Sequence, residues 1–170
     1  MKKFEFIIAA ALYYVGKTEK KGNAGFNDPA FEKELKSVGW YEGAPWCAFF
    51  VKLIYKKAYR HHADLLAAVL KDFNGSAMQT YKNCQKSGVF EVGNVPKPGA
   101  VVVWAKGAGP SGHEGVVMSV DGNTMYCIEG NTNNHGSRDG DTVAQKPRTV
   151  KRDFQKEGLN IIGYIYAKEA

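Results

Sequence analysis

The chain has 170 residues, 44% of them apolar and 12% aromatic, which is enough for one domain with its own core and too apolar for a disordered tail. The formal net charge is +6, with lysines and arginines scattered instead of gathered in a stripe; this argues against a nucleic-acid surface and suits approach to an anionic polymer and mere solubility equally. No Pro/Ser-rich linker, repeat or low-complexity tract divides the sequence, so residues 1–170 are read as a single domain, expected to be a monomer, without a separate binding module.

In chain order, Met1-Lys2-Lys3 followed by Ile7-Ile8-Ala9-Ala10-Ala11-Leu12 imitates a secretory leader. Glu5 interrupts the approach, the apolar stretch is short, and no small-x-small cleavage site precedes Lys17-Thr18-Glu19-Lys20-Lys21. Phe4, Ile7, Ile8, Ala11, Leu12 and Val15 instead have helical spacing up to Gly16, so a helix and synthesis in the cytoplasm are expected, with no segment of membrane-spanning length. Asp28 is the expected N-cap of a helix through about Val38, with Pro29 in its first turn. Pro45 announces the next, on which Cys47, Phe50, Val51, Ile54 and Ala58 share a face. Ala63 to Phe73 reads as helix by its apolar spacing, and Ser76 caps another through about Lys86. Strands are expected at 100–105, 115–120, 124–129, Val143 to Arg152 and Ile161 to Tyr166. Helices first and strands afterwards give an α+β fold, with the Cys47 helix packed on an antiparallel sheet.

The chemistry-bearing residues fall at the ends of these elements. Cys47 lies in the first turn of its helix, where unpaired backbone N–H groups and the positive end of the helix dipole favour the thiolate, the form that attacks carbonyl carbon. His113 stands at the entrance of the strand running from Gly115 to Val120, and the turn Asp121-Gly122-Asn123 leads into a third strand that ends at Glu129 and Asn131. Adjacent antiparallel strands can therefore set His113 beside Glu129 or Asn131. A Cys–His pair needs such a third group on the far imidazole nitrogen, to fix the tautomer and stabilise the imidazolium.

Four segments, Trp46-Cys47-Ala48-Phe49-Phe50-Val51, Pro98-Gly99-Ala100-Val101-Val102-Val103-Trp104, Gly112-His113-Glu114-Gly115-Val116-Val117 and Ile128-Glu129-Gly130-Asn131-Thr132, resemble in order and separation the cysteine, histidine-dependent amidohydrolase/peptidase (CHAP) family. The resemblance implies a papain-like fold and cleavage of an amide in bacterial peptidoglycan. It further implies Cys47 as nucleophile, His113 as general base and acid, Glu129 as the group orienting His113, and Asn131 as a supporting polar residue. An endolysin-like enzyme that reaches the wall after release or delivery is expected. A secretion-system effector with the same chemistry, a thiol protease or transferase on another substrate, and a non-catalytic wall-binding module are the alternatives. The bond cut is not readable in the sequence; specificity is expected in loops 16–28 and 105–112.

Each assignment has a plainer reading beside it. His113 could cap a strand, and Glu129 could be a solvated strand end, with Asn131 then orienting the imidazole. Asn131 also opens the turn-forming run Asn131-Thr132-Asn133-Asn134-His135-Gly136-Ser137, whose default is an exposed loop. Trp46 is a candidate substrate contact or cleft wall, and equally a core aromatic. Glu114, where the family usually carries an apolar residue, alternates away from His113 and is read as a tolerated substitution outside the site. Cys127 reads as core and Cys84 as partly exposed, with a bond between them left open; no metal or other cofactor is expected, because the three cysteines and four histidines lack metal-site spacing. His135 is a second candidate base, on a loop with no flanking strand to fix its ring.

Overall fold

The computed structural model describes residues 1–132 and 140–170. Five helices come first: α1 (Lys3–Tyr13), α2 (Pro29–Lys36), α3 (Cys47–Tyr59), α4 (Ala63–Asp72) and α5 (Ala77–Ser87). Six strands follow: β1 (Val92–Gly93), β2 (Val101–Lys106), β3 (Gly112–Asp121), β4 (Thr124–Thr132), β5 (Thr142–Thr149) and β6 (Leu159–Ile165). They form one antiparallel sheet in the order β1-β6-β2-β3-β4-β5. The α+β architecture with a helical N-terminal half is thus as expected. Among the described residues no helix is long and apolar enough to cross a membrane.

Local signals account for most boundaries. The Asp28 carboxylate accepts from the Ala30 and Phe31 N–H groups, and Ser76 Oγ accepts from Gln79 N–H, so both capped helices begin where those side chains satisfy orphan donors. Gly88, in the left-handed region, ends α5. β1 escapes prediction because two residues carry no periodicity; it is recruited by β6, through Val92–Ile165 and Gly93–Tyr164 pairing. β5 stops at Thr149, short of the expected Arg152.

The expectation of a one-faced Cys47 helix is corrected. In α3, Ala48, Phe49, Leu53, Tyr55 and Tyr59 are buried as well as the Cys47–Ile54 stripe, because α1, α2 and α4 surround the helix on the sides the sheet leaves open. The core on this side of the sheet takes Val101, Val103, Val116 and Ile128. Alternate residues Val102, Trp104, Val117, Met125, Cys127 and Tyr164 form a second cluster on the opposite face. Double-sided burial is why Val101 to Trp104 is a continuous apolar run. All three cysteines are free: Cys84 is fully buried in the first cluster and Cys127 in the second, so the sheet separates the two that were left as a possible pair.

Candidate active site

Three elements bring their ends together. The chain enters α3 through Pro45, and Trp46 is the N-cap without a side-chain cap bond, so the first-turn N–H groups remain directed at whatever stands there. Cys47 is that residue: the Ala48 N–H and, from β3, the Glu114 N–H donate to its sulfur, and the His113 imidazole hydrogen-bonds it from the side. His113 Nε2 is 2.6 Å from Glu129 Oε1, which leaves Nδ1 as the ring atom facing the thiol. Cys47 and His113 are 8% exposed and Glu129 is 0% exposed, so what little of the cluster reaches solvent belongs to Cys47 and His113, and the carboxylate is closed off.

Two glycines permit this approach. A Cβ on Gly130 would come within 2.7 Å of the Trp46 ring and 2.8 Å of Phe50 Cβ, so the start of α3 lies directly on β4 only because Gly130 has no side chain. On the other face of the sheet, a Cβ on Gly115 would stand 2.6 Å from Glu129 Cγ. Val116 pairs with Ile128, placing Gly115 across from Glu129, and the carboxylate passes over the bare glycine to reach His113.

The electrostatics follow from the contacts. Burial alone would push the Cys47 thiol up, but the charge and hydrogen bond of His113, with the backbone N–H groups of Glu114 and Ala48, hold it below its ordinary value. Burial would push His113 down, yet the Cys47 charge and hydrogen bond, then those of Glu129, lift it well above the usual imidazole range. Burial would also raise Glu129, and hydrogen bonds from His113 and Arg148 bring it down to about 2. The contacts thus favour the charged form of both partners, thiolate at Cys47 and imidazolium at His113.

Arg148 and Trp104 complete the surroundings and were missed in the sequence. Arg148 Nε donates to Glu129 Oε2 at 2.8 Å and Nη2 to Oε1 at 2.7 Å. Its guanidinium lies 5.3 Å from the Trp104 ring centroid, and Trp104 stacks with His113 at 5.6 Å and 21°. The basic residue in Lys146-Pro147-Arg148 carried no signal distinguishing it from a solvated one.

Of the other candidate residues, Asn131 lies in the β4 irregularity after Glu129, half-buried with left-handed φ of 53°, while the imidazole Nε2 faces Glu129. Trp46 as a substrate contact is corrected. It is 0% exposed, packs edge-on against Phe26 and Phe31, and donates from Nε1 to Glu19 Oε2 at 3.0 Å, so it walls the site from behind and ties in the 16–28 loop. Glu114 is also corrected. It does point away from His113, but that face is the protein interior: the side chain is 0% exposed, neither carboxylate oxygen has a hydrogen-bond partner among the described residues, and it feels the charge of Cys47. Cys84 is buried, not partly exposed, and its thiol is pushed up to about 12 by burial. His135 lies outside the described residues. Among the described residues no group of three or more His, Cys, Asp or Glu is arranged to hold a metal ion.

A family model described as CHAP domain matches residues 39–131, a span that takes in Cys47, His113, Glu129 and Asn131. No curated protein matches the chain.

Proposed function

Because the chain belongs to the CHAP domain family, whose activity is of the peptidoglycan hydrolase and amidase type, we propose that it cleaves an amide of bacterial cell wall through a Cys47 acyl-enzyme, with residues 1–170 acting as one catalytic domain. The observation that carries the reading is the hydrogen-bonded series from Cys47 through His113 to Glu129, in which the thiol is held low and the imidazole high.

The Cys47 thiolate attacks the amide carbonyl, and the backbone N–H of Cys47 with a neighbouring donor stabilises the oxyanion at the start of α3. The imidazolium of His113 gives its proton to the departing amine. The neutral ring then takes a proton from water as that water attacks the thioester, and the acid product leaves with Cys47 and His113 restored. Glu129 keeps the ring oriented and its charged form favoured through both steps. Asn131 is assigned the role of a supporting polar residue, at the β4 irregularity that follows Glu129. Loops 16–28 and 105–112 are the proposed specificity walls; the first is tied to the start of α3 through Trp46 and Glu19.

Digestion of purified peptidoglycan, followed by mass analysis of the fragments, tests substrate class and bond together. New amino and carboxyl ends that appear with the native protein and not with Cys47→Ala are expected. Wall left intact by the native protein, or cleaved equally by Cys47→Ala, would overturn the proposal.

A further inference from the structure

Arg148 is the group whose placement the reaction just described does not use. It sits on β5 opposite Met125, on the sheet face that also carries Trp104, Cys127 and Glu129, and its side chain runs along that face to Glu129. The fork meets both carboxylate oxygens, at 2.8 and 2.7 Å, while Oε1 also takes the bond to His113 at 2.6 Å.

Two physical consequences follow. The last torsion of a glutamate is broad, so one bond to His113 would leave the carboxylate plane free to swing, whereas a planar guanidinium bonded to both oxygens fixes it. The second consequence is charge. A thiolate, an imidazolium and a carboxylate together carry a net negative charge, and Glu129 is fully buried. A buried unpaired charge is costly and is neutralised by taking up a proton unless a counter-charge stands beside it. The guanidinium makes the buried set neutral.

We propose that Arg148 is a positioning residue for Cys47, His113 and Glu129: it locks the plane of the Glu129 carboxylate and supplies the fourth charge that lets thiolate, imidazolium and carboxylate coexist. The proposal rests on the catalytic reading given above, and deepens it. Arg148 acts through Glu129 and needs no contact with substrate.

The test measures alkylation of Cys47 by iodoacetamide across pH, read by peptide mass, in the native protein, Arg148→Lys, Arg148→Met, Glu129→Gln and the double variant Glu129→Gln/Arg148→Met, with peptidoglycan turnover measured in parallel. Arg148→Met is expected to slow Cys47 alkylation about tenfold and to move its acid limb up by about one pH unit or more. Arg148→Lys, which keeps the charge without the fork, should retain the acid limb and lose part of the rate. With Glu129→Gln already present, Arg148→Met should cost nothing further, because a residue acting only through Glu129 has nothing left to act on. An unchanged rate and acid limb in folded Arg148→Met would overturn the proposal. Should Arg148→Met not fold, the double variant against Glu129→Gln alone decides, and an added loss there overturns it. Alkylation needs no wall: the expected Arg148 dependence in a protein that leaves peptidoglycan intact would support this inference and sink the substrate assignment. Wall cleavage indifferent to Arg148 would do the reverse.

Discussion

Replacing Glu114 by Met should stabilise the protein, and by an amount that grows with pH. Glu114 is fully buried on the helix side of β3, with both carboxylate oxygens unpartnered among the described residues. Burial pushes its carboxyl well above the usual range and the Cys47 charge pushes it further, against a smaller opposing pull from His113. The folded state thus holds a proton that the unfolded state releases, so folding loses stability as pH rises above the unfolded value of about 4.3, at about 1.4 kcal/mol per pH unit until the folded carboxyl itself ionises. Methionine has similar length, no charge and no unpaired oxygen. Its advantage should begin at about 1–3 kcal/mol in acid, from removing the unpartnered polar group, and widen at the linkage slope toward neutrality. Urea unfolding of both proteins at intervals between about pH 5 and 7 measures the difference directly. A difference that stays constant with pH would mean that Glu114 ionises as freely folded as unfolded, and the interior placement and its coupling to Cys47 would be refuted.

Gly115→Ala should lower wall-cleaving activity more than stability, since its Cβ meets Glu129 Cγ, whereas Gly130→Ala should cost about 1–3 kcal/mol of stability by pressing on Trp46 and Phe50; activity assays beside thermal unfolding separate the two. Glu129→Gln should reduce turnover ~10²-fold or more and lower the His113 pKa followed by NMR, because the carboxylate stabilises the imidazolium. Asn131→Ala should produce a rate defect with a smaller change in titration, and a strong histidine shift there with none in Glu129→Gln would transfer the orienting role to Asn131.

The elements that the sequence made legible are those whose signals are local. Pro45 ahead of an apolar repeat locates the start of α3, the Asp28 and Ser76 caps locate two more helices, and a turn at Asp121-Gly122-Asn123 makes β3 and β4 neighbours, which places His113 within reach of Glu129. What escaped depends on register and on what lies behind each surface. Alternation correctly turned Glu114 away from His113, but only the packing of α1, α3 and α5 against β3 makes that side interior. Trp46 next to a candidate nucleophile invites a substrate role, while the aromatic cluster with Phe26 and Phe31 needs the 16–28 segment folded beside it. Arg148 reaches Glu129 because β5 pairs Met125 with Arg148, a register no short motif encodes.

The central claim is that Cys47 is a thiolate paired with the His113 imidazolium. Ultraviolet absorbance of the thiolate, titrated as the difference between the native protein and Cys47→Ala, tests it without any substrate. The account predicts a thiolate that persists at pH values well below the ordinary thiol pKa of about 8.5, and that disappears at those values in His113→Ala. A Cys47 signal that arises only near the ordinary thiol pKa, unchanged by His113→Ala, would contradict it.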